Sequence, residues 1–394
     1  MSDSTETDQR VEGLTVYQVG GSVRDRLLGL VPGDRDFVVV GASPEELARR
    51  GFRPVGRDFP VFLHPDTGEE YALARTECKQ GRGYQGFVFQ TGPEVTLEQD
   101  LARRDLTINA MAVGSDGQLV DPYNGRLDLQ AGCLRHITDA FREDPVRVLR
   151  LARFATRFEK FEIAAKTLNL CRGMVENKEV SHLVPERVWQ EMSRALMHRR
   201  PSRFFDVLRE VGALGVVLPE IDALFQNPAE ARKGFRALDI AADFGADLPV
   251  RFGVVVSRIK DSPAAIDTLA QRLRVPKDCW QMASLISLLK EDIESVLQLE
   301  ASDVLQVLRR LDVFRKPGRM TDMLLACHAD KLAGCYGSND PWPQAEIWRG
   351  VTAAAQSVDG GALHRRGLRG RDVADALQRE RIENIAAVLD DWNS

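Results

Sequence analysis

Asp34-Arg35-Asp36 runs directly into Phe37-Val38-Val39-Val40, and Gly20-Gly21-Ser22-Val23-Arg24-Asp25 stands shortly before it. Val16–Val19 reads as a strand, the glycine pair as a turn, Asp25–Leu30 as a short helix, and the apolar run after Asp36 as a second strand. Side chains alternate faces along a strand, so Asp34 and Asp36 are expected on one face. Two carboxylates at that spacing suit Mg²⁺, which takes oxygen ligands and shares them with substrate phosphates. An Asp-x-Asp on a surface turn is also an ordinary solvated feature. Here, however, Asp36 abuts an apolar run, and a carboxylate at a sheet margin is costly without a partner. A lone Gly-Gly can be a tight turn and nothing more. Placed before a helix it brings backbone N–H groups to an anion, with Arg24 able to neutralise a triphosphate.

Bulk properties narrow the setting. At 394 residues the chain can hold two to four domains and bury a real core. No apolar stretch approaches a membrane span, and the polar, acidic Met1–Arg10 lacks a signal-peptide core, so residues 1–13 are expected to be a disordered tail. Six cysteines without a CxxC pair point to reduced thiols and a cytoplasmic protein. The formal net charge of −5 means that any nucleic acid must be held by local basic patches.

The organisation is α+β. Residues 14–140 mix short β-type runs (Val16–Val19, Phe37–Val40, Val61–His64, Tyr71–Ala74, Gly86–Gln90, Ile108–Val113) with turns, predicting one mixed sheet. Beyond this the pattern is helical. Phe141–Phe158 is periodic, with Val146, Leu149, Phe154 and Phe158 set between arginines, and Pro185 opens another helix with Glu186 in its first turn. Segments 141–205 and 206–394 are therefore read as two helical regions.

Two further motifs carry chemistry. Arg103-Arg104-Asp105, ahead of an apolar strand, can bind phosphate and ribose together, or can be a solvated charge cluster. In Glu143-Asp144-Pro145-Val146-Arg147, Asp144 and Arg147 stand three apart on a helix and face one way, with Arg150 and Arg153 continuing the ridge. An intrahelical salt bridge with a basic stripe is one explanation. The other is a protein template for a base: Asp accepts and Arg donates, matching the amine donor and ring-nitrogen acceptor shared by cytosine and adenine. Uracil and guanine present the reverse pattern and would leave buried polar groups unpaired.

From Val16 to about Leu218 these motifs, in this order, resemble bacterial CCA-adding enzymes, the class II tRNA nucleotidyltransferases of the polymerase-beta-like superfamily. Gly56–Pro65 with Glu69–Thr76 resembles the proteobacterial branch in particular. The resemblance makes 14–140 a catalytic nucleotidyltransferase head, 141–205 a neck with a base-selecting helix, and 206–394 a helical body and tail. It implies that Asp34 and Asp36 hold Mg²⁺ and are catalytic, that Gly20, Gly21 and Arg24 meet the triphosphate, and that Arg104 binds the nucleotide with Asp105 near its ribose. Asp144 and Arg147 would pair with the base, Arg150 and Arg153 would complete the pocket, and Glu186, Arg187 and Glu191 would brace the template helix. Arg75–Tyr84 falls where the family has a flexible loop for switching from C to A addition. Arg194, His198, Arg199, Arg200 and Arg203 form a basic cluster where tRNA contacts would lie, or a solvated helix end. The implied partners are the tRNA 3′ end, ATP and CTP, with no membrane and no obligate protein partner. The nearest alternatives are a bacterial poly(A) polymerase and an enzyme adding only CC or only A; a tRNA-binding protein with an inactive head is the alternative from another class. One departure stands out. Close relatives often carry a C-terminal metal phosphohydrolase domain built on a His-Asp dipeptide and further histidines, the His-Asp segment following an Arg-Phe, whereas this chain runs Arg251-Phe252-Gly253-Val254-Val255-Val256-Ser257-Arg258. The ligands are missing, so phosphohydrolase activity is not expected.

Overall fold

A computed structural model describes residues 8–55, 61–79, 87–259, 264–334 and 342–394. The chain forms two compact units: Met1–Leu183 with Glu210–Ala213, and Val184–Arg209 with Leu214–Ser394. The segment 141–205 is thus divided between them, and its first helices share a unit with the sheet. Residues 1–7 of the expected tail lie outside the described residues, as do 56–60 and 80–86.

In the first unit, β1 (Thr15–Val19), α1 (Gly21–Leu27), β2 (Asp36–Val40), α2 (Pro44–Arg49), β3 (Arg53–Val55), β4 (Val61–Leu63) and β5 (Glu70–Leu73) follow in order. After them come β6 (Arg75–Lys79), β7 (Phe87–Thr91), α3 (Leu97–Ala102), β8 (Ala112–Gly114), β9 (Leu119–Val120), α4 (Gly125–Ala131) and α5 (Val146–Arg157). Seven strands make one mixed sheet in the order β3-β4-β5-β2-β1-β8-β9, with β2 and β5 parallel; β6 and β7 form a separate antiparallel ribbon. β2 is covered on both faces. Val38 packs with Val19, Leu101 and Ala110 on one side, and Val39 with Leu47, Phe52 and Leu73 on the other. That double burial is why its sequence is continuously apolar rather than alternating.

Two expected elements differ. Ile108–Val113 is not one strand: Thr107–Asn109 makes a 3₁₀ turn and β8 begins only at Ala112. The helix after the glycines begins at Gly21 and ends at Leu27.

The second unit is helical throughout its described residues. Its core joins helices Pro228–Asp243, Leu248–Val256, Lys277–Glu294, Ala301–Arg310, Gly318–Gly334 and Pro343–Gln356 around the fully buried Trp348. Among the described residues no helix is long and apolar enough to cross a membrane.

Candidate functional site

The glycine turn joins the end of β1 to α1. Gly20 has φ +72 and ψ −133, a conformation that side chains rarely adopt, and its N–H donates to the Met111 carbonyl at 3.2 Å. A Cβ on Gly20 would stand 3.0 Å from Arg104 Nη1, so the Arg104 guanidinium lies against the bare turn. Arg104 Nη2 donates to Asp100 at 3.2 Å, while its Nε is buried without a hydrogen-bond partner. A guanidinium charge therefore lies against the turn through Nη1, as phosphate recognition requires.

Asp36 opens β2, with Val19 of β1 on one side and Glu70 of β5 on the other in direct register. Register partners on adjacent strands project to the same face, so Glu70 adds a carboxylate beside Asp36. Desolvation first, then Glu70 and Asp34, push the Asp36 carboxyl above its usual range, against the opposing pull of Arg104. Crowded carboxylates that resist ionising are a natural seat for a cation. Asp34 lies in the bend before β2 rather than on it, so strand alternation does not place it. Its closeness to Asp36 shows instead in that electrostatic coupling. Among the described residues no group of three or more His, Cys, Asp or Glu closes around a metal position. The donor set of Asp34 and Asp36 is all oxygen, the chemistry that suits a hard divalent cation able to take further oxygens from a substrate. Glu70 had no signal of its own in the sequence, because strand partnership is not a local property.

Arg24, expected at the triphosphate, is buried and paired, with its Nη2 3.5 Å from where a Cβ on Gly21 would stand. It is 2% exposed, gives Nε and Nη2 to Asp25 at 2.9 and 2.8 Å, donates Nη1 to Asn109, and stacks over Phe154 and Phe158. Burial lowers its pKa, with Asp25 opposing. Asp25 also accepts from Arg157 at 2.8 Å. On the other side, Asn109 donates to Asp105 at 2.9 Å, and Asp105 accepts Nε and Nη2 of Arg150, each at 2.7 Å. Burial would raise the Asp105 carboxyl, but Arg150 and these hydrogen bonds hold it far below the usual range. Arg24, Asp105 and Arg150, expected around the nucleotide, are thus joined in an ion-pair chain linking α1, the 3₁₀ turn and α5. Arg153 is buried over the Phe154 ring.

Asp144 is not on the helix. It is extended (φ −115, ψ 106), and its Oδ1 accepts the Val146 N–H at 3.0 Å. Pro145 explains this, since the residue before proline is driven out of the helical region. Arg147, on the first turn of α5, is buried and donates to the carbonyls of Ala140 at 2.8 Å and Arg103 at 2.5 Å. Asp144 and Arg147 therefore meet the start of α5 from a loop and a helix, not from one helical face.

Glu186, Arg187 and Glu191 lie on helix Pro185–Leu196 of the second unit, where Glu186 pairs with Arg274 and Glu191 is buried. Arg200 and Arg199 reach Asp243 at 2.9 and 3.8 Å. Arg75–Lys79 is strand β6, and residues 80–84 of the expected loop lie outside the described residues. In the run Arg251–Arg258, Ser257 caps the end of helix Leu248–Val256, and Arg258 pairs with Glu230 at 2.8 Å and with the buried Asp330.

A mixed sheet carrying a glycine turn, an arginine against it and carboxylates at the strand ends defines a nucleotidyltransferase head. Consistent with this, residues 16–135 match the Poly A polymerase head domain, and residues 160–225 match the family described as a probable RNA and SrmB-binding site of polymerase A. The Multifunctional CCA protein of Alkalilimnicola ehrlichii is 49% identical over 96% of this chain and 98% of its own length. That of Paracidovorax citrulli is 49% identical over 93% and 96%. The chain belongs to this family of CCA-adding tRNA nucleotidyltransferases. Among solved structures, an apo CCA-adding enzyme superposes with a TM-score of 0.69 at 22% identity, covering 95% of this chain and 91% of that one. A CCA-adding enzyme in complex with CTP does so at 0.66 and 23%, covering 95% and 87%. At such identity these two establish the shared fold.

Proposed function

We propose that the protein builds and repairs the 3′-terminal CCA of tRNA from CTP and ATP, releasing pyrophosphate, with no nucleic-acid template. The observation that carries this is the pairing of Asp36 with Glu70 in direct register at the start of β2 and β5, in a head whose glycine turn has the Arg104 guanidinium lying against it. The turn of Gly20 and Gly21 and the Arg104 guanidinium receive the triphosphate. Asp34 and Asp36, with Glu70 beside them, hold Mg²⁺. When bound, the metal would favour ionisation of the terminal ribose hydroxyl and would neutralise charge on the leaving pyrophosphate. Asp144 and Arg147 read the base: the two backbone carbonyls on Arg147 fix the direction of its donors, and Pro145 fixes Asp144 beside them. Arg24, Asp105 and Arg150 position these parts. Arg153 packs the helix that carries Arg147, and Glu186, Arg187 and Glu191 brace their own helix, Pro185–Leu196. Phosphohydrolase activity is not expected on this reading, because the run Arg251–Arg258 carries no His-Asp pair and Arg258 is spent on Glu230 and Asp330. The test is addition to tRNA lacking its CCA, with CTP, ATP, UTP and GTP singly and together, followed by sequencing of the ends. Ordered C, C, A is expected. A long A tail formed without CTP would instead mean a poly(A) polymerase, and no extension would mean a binding protein.

A further inference from the structure

The second unit holds a cleft of about 930 Å³ that plays no part in nucleotide transfer as described. Its walls carry six cations, Lys277, Arg309, Arg310, Arg315, Lys316 and Arg319, against two carboxylates, Asp278 and Asp312. Lys277 opens helix Lys277–Glu294, Arg309 and Arg310 close helix Ala301–Arg310, and Arg319 lies in the first turn of helix Gly318–Gly334. Three rigid elements thus present charge to one space. Little of it is neutralised internally. Asp312 takes both ends of the Arg315 fork, at 2.8 and 2.9 Å. Arg309 and Arg319 spend donors only on the neutral amides of Gln378 and Gln281, at 3.0 and 2.7 Å. Among the described residues Lys277 and Arg310 have no ion-pair partner, and Lys316 meets Asp312 only as a more distant charge.

We infer that this cleft is a docking surface for the sugar–phosphate backbone of the tRNA, away from the reacting 3′ end; the inference rests on the tRNA reading above. In a chain with a formal net charge of −5, such a local excess of cations meets a polyanion rather than an acidic protein surface by default. Among the described residues no aromatic side chain lines the cleft, and its lining offers charge rather than a platform for stacking a base. Arginine and lysine without stacking partners suit the phosphates of a duplex, which are recognised by shape and charge.

The test uses Arg310→Ala/Lys316→Ala and Arg310→Glu/Lys316→Glu in the full chain. Both residues are exposed, and tryptophan fluorescence melts verify folding. At about 0.15 M salt the KM for tRNA should rise on the order of tenfold in the alanine pair and further in the glutamate pair. The kcat at saturating tRNA and the KM values for CTP and ATP should hold. The slope of log affinity for tRNA against log salt should fall by about 2 in the alanine pair, roughly one per lost phosphate contact. An unchanged slope and tRNA KM would overturn the inference, even if either variant lost capture of an acidic protein. Binding is measured apart from addition, so the slope decides this point even if wild-type protein fails to add CCA.

Discussion

Replacing Asp105 by Asn tests the ion-pair chain beneath the site. Asp105 is 6% exposed and accepts four hydrogen bonds: the Leu106 N–H at 2.8 Å, Asn109 at 2.9 Å, and Arg150 Nε and Nη2, each at 2.7 Å. An Asn side chain can keep its oxygen toward Leu106 and Asn109, but then turns an NH₂ donor against the Arg150 donors. Removing one partner of a buried pair costs about 3–5 kcal/mol. The Arg150 side chain is 34% exposed, so water recovers part of that, and about 2–3 kcal/mol is expected. The pH dependence has a definite sign. The Asp105 carboxyl sits below its unfolded value, so its stabilisation is complete above that value and is lost as pH falls through the folded one. The wild-type-to-variant gap should therefore stay level from about pH 8 to pH 5 and narrow only below about pH 4. Hydrogen exchange of peptides from α5 reads the gap directly. All five tryptophans fall in Val184–Ser394, so tryptophan fluorescence should barely respond and serves as a control. A gap below about 0.5 kcal/mol would refute the chain as a structural element. So would a gap that fades between pH 7 and pH 5, which would implicate a different titrating group.

Three further outcomes follow from named contacts. Asp36 is raised by desolvation, Glu70 and Asp34, so affinity for Mg²⁺ should increase with pH through the Asp36 titration, and Glu70→Gln should move that rise to lower pH while slowing addition; calorimetric titrations showing pH-independent affinity would sink this. Asp144→Ala should relax the choice of C and A over U and G while leaving tRNA affinity in place, and sequenced products with unchanged selectivity would refute the template role. Asp330 is buried and meets Arg258, Lys290 and Lys233; Asp330→Asn should destabilise the second unit by about 3 kcal/mol in tryptophan-monitored unfolding, and a loss under about 1 kcal/mol would mean the three cations are adequately solvated without it.

The parts of the fold that were legible in the sequence share a simple physical cause. β2 could be read because both faces are covered, which forces an unbroken apolar run. The misread segment shows the converse. Ile108, Ala110, Met111 and Ala112 are all fully buried, yet only Ala112 begins a strand. Burial made the stretch apolar, while side-chain bonds from Asn109 to Asp105 and from Thr107 to Asp128 at 2.7 Å accompany a 3₁₀ turn in place of a ladder. Pro145 was visible, and its effect on Asp144 follows from proline geometry; the helical periodicity of the arginines masked it. Glu70 could not be found locally at all, since only the parallel pairing of β2 with β5 brings it to Asp36.

The arginines of α5 illustrate how one sequence pattern can serve two purposes. Arg150 and Arg157 are seven apart, two helical turns, and so share a face. That face meets two buried carboxylates, Asp105 for Arg150 and Asp25 for Arg157, with Arg24 and Asn109 bridging between them. The stripe therefore neutralises buried charge first. Its functional consequence is indirect: α1 carries the end of the glycine turn, the 3₁₀ turn follows Arg104, and α5 carries Arg147. A displacement of any one element must break a charged hydrogen bond in a poorly solvated setting, which is far costlier than breaking one in water. The glycine turn and Arg147 are thereby held in fixed relation, so under the proposed function any adjustment between C and A has to be made outside this chain of contacts.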